Sequence, residues 1–517
     1  MRQLLILLLM LPISAVSLAG AAPKKLKKKP DLAAQIQAIV TQPPLASAEW
    51  GIDAVDMESG KVIYSVNSDH LFLPASNAKL LTTSAAMALA GPDYRFLTTL
   101  ETSGTLDPDG HLKGDLVIVG RGDPNISGRV MPYQLKTERL SPHTQILDDL
   151  ANQVAQKGVK TVEGDLIGDD TFYAPERYAE GWAQDDLQWI DGAAISALSF
   201  NDNVLFVKVQ PGLQPGDKAV ITTDPPSSYY EFDNRVVTSA VGVPRKVGVH
   251  RDPGSYKVLL WGSLPLNDAG LNEALTVEDP AEFTAQTFRA LLEARGITVT
   301  GKVRARHGER AQFFDQPAPP LPPTAIPPQV LAQHISLPLL EDVRVTNKTS
   351  QNLHAELDLR LIGRLKGNGG SFEAGSAALK QFLLQAGLSA DEFYLLDGSG
   401  LSRRDLITPA AMVQLLLYDS RQPWGAALEQ TLPVAGVDGS LADRFTNTAA
   451  GGLIHAKTGT LSHVNSLSGY GQTRTGRHFV FSIFCNNHNQ PSGKVLAAID
   501  SIVVLLVKEG DAPVARH

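Results

Sequence analysis

Leu453-Ile454-His455-Ala456-Lys457-Thr458-Gly459-Thr460-Leu461 is the stretch from which the fold is read. It enters on apolar residues, so it reads as a strand that becomes polar where it reaches a cleft. Lys457 supplies a fixed positive charge and Thr458 a hydroxyl, together a carboxylate ligand. Gly459 has no side chain, so an extended peptide can lie against the strand edge. Two more strand-like runs follow, Ser466 to Gln472 and His478 to Cys485, and then an amphipathic helix, Lys494 to Lys508. The N-terminal part carries matching elements. Asp31 to Gln42 has helical periodicity through Leu32, Ile36, Ile39 and Val40. Trp50 to Val55 and Lys61 to Val66 form a hairpin about Glu58-Ser59-Gly60. Helices and strands contributed by both ends predict one discontinuous α/β domain, an antiparallel sheet flanked by helices. It comprises residues 31–96 and 331–517.

Two further motifs precede this strand. In Ser76-Asn77-Ala78-Lys79 the serine follows Pro74 and heads a Leu- and Ala-rich helix from Ala78 to Ala90. That position directs backbone N–H groups and the positive dipole end toward the serine oxygen. Lys79 lies on the same face one turn later. A serine hydroxyl is a weak nucleophile until a base takes its proton, and a lysine serves only if burial or nearby positive charge lowers its pKa. A bare Ser-x-x-Lys arises by chance about once in a chain this long, and by itself reads as a capped helix start with an exposed lysine. In Ser350-Gln351-Asn352 the loop between two predicted helices, about Leu339 to Val345 and Leu353 to Leu365, offers a hydroxyl to relay a proton. Its Asn amide can both donate and accept. Alone it reads as a capped helix-helix turn. Three such motifs in this order carry what none carries singly.

The chain has 517 residues, a net charge of −8 and 19% charged residues. The length predicts about three domains. The acidic balance argues against a nucleic-acid partner. The single cysteine, Cys485, sits in an apolar run, reads as a small buried hydrophobe and excludes an intramolecular disulfide. Neither zinc-site spacing nor His-Glu-x-x-His occurs, so neither a metal nor another cofactor is expected. His455 and His463 read as structural. The N-terminus reads as a signal peptide, residues 1–21: Arg2, an apolar run from Leu4 to Val16, and Ala19-Gly20-Ala21 as cleavage site. A basic leader, 22–30, follows and reads as a solvated segment. These features predict an exported protein, periplasmic or otherwise outside the cytoplasmic membrane, soluble or peripherally membrane-associated. Residues 97–330 read as a β-rich inserted region of two subdomains with some helix, such as Glu282 to Arg295. It ends in a connector, 316–329, whose seven prolines forbid helix.

With these motifs in hand, the chain resembles the low-molecular-mass, class C penicillin-binding proteins of the D-alanyl-D-alanine carboxypeptidase/endopeptidase type, the S13 peptidase (DacB-like) family. The resemblance covers most of the mature chain, including the insertion of about 270 residues between the first two motifs, a domain-sized interval. It also rests on Asn347-Lys348-Thr349 before Ser350, Asp397-Gly398-Ser399-Gly400-Leu401-Ser402-Arg403, Leu432-Pro433-Val434-Ala435-Gly436 and Ser468-Gly469-Tyr470. The middle motif reads Ser-Gln-Asn where many relatives have Ser-Asp-Asn or Ser-Asn-Asn. The resemblance implies a penicillin-binding-protein/β-lactamase-like transpeptidase domain and an acyl-enzyme on Ser76, with Lys79 neutral as base. It gives Ser350, with Lys457, the proton for the leaving D-Ala. Asn352 then holds the substrate amide, and Lys457, Thr458 and Thr460 its carboxylate. The backbone N–H groups of Ser76 and Thr460 form the oxyanion hole. It implies peptidoglycan stem peptides as substrate, β-lactams as acylating inhibitors, and contact of Arg403 and an Asp with a diaminopimelate side chain. Asp169 and Asp170 both fit the local pattern, Asp169 being favoured, and a plain turn is the competing reading. Two other functions are weighed: a wall-binding protein without catalysis, and a β-lactamase. The presence of every reactive residue argues against the first. The long insertion, and the lack of an evident loop carrying a deacylating Glu, argue against the second.

Overall fold

The computed structural model describes residues 31–133, 142–309, 328–367 and 369–509. The expected signal peptide and basic leader lie outside these residues, as does the proline-rich connector up to residue 327. Helix α1 (Leu32–Val40) is capped by the Asp31 carboxylate, which accepts from the Ala34 N–H at 2.8 Å. The hairpin follows as β1 (Glu49–Asp56) and β2 (Val62–Val66). A single 3₁₀ turn, Ala75–Asn77, then runs into α2 (Ala78–Leu89).

Next comes the inserted region. Its largest sheet contains β3 (Leu97–Thr102), β4 (Leu116–Val119), β5 (Leu166–Asp169), β6 (Val303–Arg306) and β7 (Gln329–Ile335), in the order β6-β5-β4-β3-β7. Two three-stranded sheets and a helix, Pro280–Glu293, share one hydrophobic core with it. After this helix the chain forms two short strands, Thr298–Val299 and β6. The break falls at Gly301, where a Cβ would sit 2.3 Å from the Gly164 carbonyl oxygen. The chain returns through β7, which pairs antiparallel with β3.

Helices α3 (Leu339–Lys348) and α4 (Asn352–Lys366) follow, and then β8 (Ile454–Leu461), β9 (Val464–Gln472), β10 (His478–Asn486) and α5 (Ser492–Lys508). The strands from both ends of the chain make one antiparallel sheet, ordered β2-β1-β10-β9-β8. Strand β10 shows why it forms. Its side chains alternate across the sheet. Phe479, Phe481, Ile483 and Cys485 enter a core with Ile36 of α1 and Ile499 and Val503 of α5. Val480 and Phe484 enter the opposite core with Leu80 and Leu81 of α2. The sheet is thus covered by helices on both faces, and the Lys-Thr-Gly strand β8 is its edge. Val434 bridges to His455 at the start of that edge. From Thr458 to Thr460 its outer side pairs with no strand among the described residues. Among the described residues no helix is long and apolar enough to cross a membrane.

Candidate active site

Ser76 lies in the tight turn that feeds α2, with its side chain partly open to solvent. Neighbouring strands shape this turn. Ser466 of β9 donates to the Pro74 carbonyl at 2.7 Å, and the Asn77 amide donates to Ser466 Oγ and to the Lys457 carbonyl at 2.8 and 3.1 Å. Gly459 fits here for a reason other than access. An added Cβ would lie 2.1 Å from Ser466 Oγ and 2.8 Å from the Pro74 carbonyl, so the strand closes on the Ser76 turn itself. Gly400, at φ +78°, packs on the other side, where a Cβ would meet the Ala75 carbonyl at 1.9 Å. Ala75 itself takes φ +49°, a left-handed conformation costing about 1–2 kcal/mol that the surrounding contacts must hold.

Lys79 is fully buried, and its Nζ has three partners: Asn352 Oδ1 at 2.6 Å, the Ser399 carbonyl at 2.7 Å and Ser76 Oγ at 3.0 Å. The first two can only accept. A neutral amine therefore gives both of its N–H bonds to them and turns its lone pair to the Ser76 hydroxyl. Asn352 is fixed in this orientation because its Nδ2 donates to the Asp191 carbonyl at 2.9 Å. Burial lowers the Lys79 pKa to about 8, against the opposing pull of Asp397, Glu356, Asp191 and Asp405. Lys457, also fully buried, donates to Ser350 Oγ at 2.8 Å and to the Thr458 carbonyl at 2.7 Å. Its pKa falls well below the usual lysine range through burial and the charge of Lys79. Ser350 takes φ +64° in the loop between α3 and α4.

The five residues Ser76, Lys79, Ser350, Asn352 and Lys457 are thus linked around one cleft. Thr458 Oγ1 lies 2.7 Å from Ser440 Oγ, and Thr460 Oγ1 accepts from Asn465 at 3.1 Å. Arg403 is exposed at the rim, reaching the Ser462 carbonyl at 3.4 Å while its backbone N–H donates to Gly181. Asp169 does not join them. Its carboxylate, at the end of β5, accepts from Thr171 and from Arg306 of β6. Asp170 is likewise engaged, by Ser196 and His307. Asp186, on the inserted-region loop that also carries Trp182 and Asp191, has its carboxyl raised above the usual range by burial and by Asp185, with the Arg403 charge pulling the other way.

Sequence reasoning did not single out Glu356, which lies one helical turn beyond Asn352 on α4. Its Oε1 accepts from the Gly398 and Ser399 N–H groups at 2.9 Å each, which fixes the carbonyl that Lys79 uses. Asp397 braces the same loop, accepting from the Gly400 and Ser402 N–H groups and from Trp182 Nε1. The i+4 spacing from Asn352 was the available signal for Glu356. His455 faces Glu429, and His463 faces the His488 carbonyl.

A serine-headed helix packed against an edge strand bearing Lys-Thr-Gly, with a Ser-x-Asn loop closing the cleft, is the architecture of the penicillin-recognising serine hydrolases. The chain belongs to the D-Ala-D-Ala carboxypeptidase 3 (S13) family, whose model matches residues 32–508, and is a serine-type D-Ala-D-Ala carboxypeptidase by that membership. It is 34% identical over 516 residues to the D-alanyl-D-alanine carboxypeptidase of Actinomadura sp. (strain R39), covering 97% of this chain and 90% of that one. It is 26% identical to D-alanyl-D-alanine carboxypeptidase DacB of Haemophilus influenzae, over 87% of this chain and 88% of the relative. The crystal structure of penicillin-binding protein 4 (dacB) from Haemophilus influenzae shares the fold, with a TM-score of 0.75 at 23% identity over 91% of this chain and 99% of that one.

Proposed function

We propose that this carboxypeptidase acts on peptidoglycan stem peptides through an ester on Ser76. The observation that carries this is the Lys79 amine, buried, 3.0 Å from Ser76 Oγ, with both other contacts pure acceptors. Ser76 Oγ attacks the carbonyl between two D-Ala residues and its proton passes to Lys79. The backbone N–H groups of Ser76 and Thr460 receive the oxyanion. As the C–N bond breaks, Ser350 gives the departing amine a proton and takes one in turn from Lys457, to which it is bonded; the proton held by Lys79 returns to that pair, so both lysines regain their starting states. Water then hydrolyses the ester, its oxygen going to the acyl group and its proton to Ser76. Lys457, Thr458 and Thr460 bind the terminal carboxylate, and Asn352 the peptide amide. Gly459 lets the strand and the Ser76 turn close together. A β-lactam presents the same carbonyl and carboxylate but keeps its leaving group tethered, so the ester persists. Export by the N-terminal segment places the enzyme beside its polymer.

Arg403, with Asp186 in the position the sequence reading gave to Asp169, receives the charged end of the stem-peptide side chain. In a D-Ala-diaminopimelate crosslink the carbon next to the scissile nitrogen carries a carboxylate, as terminal D-Ala does, so the same Lys457, Thr458 and Thr460 groups can hold either leaving group and endopeptidase cleavage is included. Digestion of purified sacculi tests this. Released D-Ala together with uncrosslinked muropeptides is the expected result. Intact crosslinks with D-Ala released would remove the endopeptidase part, and no product of either kind would refute the substrate.

A further inference from the structure

The inserted region reaches into the second motif at a point the mechanism does not use. Gln351, between Ser350 and Asn352, uses both ends of its amide. Its Oε1 accepts from the Leu353 N–H at 3.0 Å and caps α4. Its Nε2 donates to Asp202 Oδ2 at 2.8 Å. Asp202 belongs to the inserted region and its side chain is fully buried. Arg129 grips it with two bonds, at 2.8 and 3.2 Å, and His354 of α4 approaches its Oδ1 at 3.3 Å while its other ring nitrogen faces Asp342 at 2.7 Å.

The backbone that presents Asp202 is unusual. Asn201, Asp202 and Asn203 take φ values of +54°, +53° and +55°, three successive left-handed residues, all buried. Such a run persists only where its surroundings over-determine it. They do so here: Asn201 Nδ2 donates to the Val204 carbonyl at 3.0 Å, and Asn203 Nδ2 to the Ala194 carbonyl at 2.7 Å. On the other side of the tie, Ser350 is itself left-handed. A strained loop carrying two reactive side chains is thus fastened, at its middle residue, to a strained turn of another region.

We propose that Asp202, acting through Gln351, is a positioning residue that holds Ser350 and Asn352 in register with Ser76 and Lys457. The inserted region is then part of the catalytic apparatus and not an appendage. A shorter residue at position 351 can still cap the helix but cannot reach Asp202. Gln serves both ends at once, which gives a physical reason for Gln in this chain. This inference rests on the acyl-enzyme reading given above.

The test uses the full mature enzyme and three variants: Gln351→Asn, which keeps a capping oxygen and loses the reach; Gln351→Glu, which keeps length and cap but sets a carboxylate against Asp202; and Gln351→Glu with Asp202→Asn, which moves the negative charge across the tie and restores one donor and one acceptor. Acylation by a fluorescent penicillin, kcat and KM for D-Ala release, and Tm are measured for each. Acylation and kcat should fall about ten- to a hundredfold in Gln351→Asn, since displacing reacting groups by about 1 Å costs that much. KM should rise less than kcat falls, since Asn352 also holds the substrate amide, and Tm should stay close to wild type. Gln351→Glu should fall further, and the double variant should recover above it. Wild-type acylation in Gln351→Asn would overturn the inference even if the double variant does not fold, as would a loss confined to Tm. Absence of labelling in the wild type would instead refute the acyl-enzyme reading and this inference with it.

Discussion

Replacing Glu356 by Gln should move the acid limb of the acylation profile to lower pH. Glu356 is fully buried beneath the site, and burial beside Asp397 raises its own pKa to about 7. Near pH 8 it is therefore mostly ionised, and its charge helps to keep Lys79 protonated. One residue separates them: Lys79 Nζ is 2.7 Å from the Ser399 carbonyl oxygen and Glu356 Oε1 is 2.9 Å from the Ser399 N–H nitrogen. At about 8 Å and an effective dielectric of about 20, unit charges interact by ~2 kcal/mol. Allowing for its partial ionisation, removing that charge should lower the Lys79 pKa by about one unit. The sign is fixed by the charge of the base. An ammonium that loses a neighbouring carboxylate releases its proton more readily, so the neutral amine persists to lower pH. Gln keeps an oxygen for the Gly398 and Ser399 N–H groups, so the loop should hold. The assay is the second-order rate of penicillin acylation from pH 5 to 10 in wild type and variant, with Tm as the control for folding. A limb rising through pH about 8 in the wild type and about one unit lower in the variant is expected. A limb that stays in place, or moves to higher pH in a folded variant, would refute Lys79 as the base under Glu356 control.

Gly459→Ala should lower acylation by about a hundredfold or more, because the new Cβ presses on Ser466 Oγ and the Pro74 carbonyl and moves the Ser76 turn; a folded variant acylating at the wild-type rate contradicts this packing. His307, held between Asp170 and Asp279, has its pKa raised to about 10. Its folded value exceeds the unfolded one of about 6.5, so its stabilisation is complete below pH about 6.5 and disappears as pH rises toward 10. Denaturant melts across that window should show a decline that His307→Gln flattens, and equal slopes would contradict the linkage. Burial pushes the Cys485 thiol up to about 12, so a thiol reagent should leave the native protein unmodified at pH 8 and label it fully in denaturant. Rapid native labelling would contradict the packing of β10.

Chemistry carried by local pattern was legible in the sequence. Alternation in His478 to Cys485, the helix start at Ser76 and the apolar entry to Lys457 are short-range signals, and each became the element they predicted. What was missed depends on contacts between residues far apart in the chain. Asp191, Trp182 and Asp202 reach the site from the inserted region, and a turn-like sequence gives no sign of what its carboxylates face. The resemblance left Asp169 and Asp170 open, Asp169 being favoured and a plain turn competing; cross-strand pairing with β6, which no local pattern shows, delivers Arg306 to Asp169. Gly459 was expected to clear space for substrate. Its neighbours show that the space is taken by the Ser76 turn, a packing constraint that one strand read alone does not reveal.

The most direct test of the acyl-enzyme on Ser76 is the intact mass of the purified protein after incubation with benzylpenicillin, followed by peptide mapping. One adduct of the full penicillin mass, long-lived, on the peptide containing Ser76 and missing in Ser76→Ala is predicted. An unmodified wild type, or an adduct on another residue, would contradict the account. Rapid loss of the adduct with catalytic destruction of the drug would mark a β-lactamase instead.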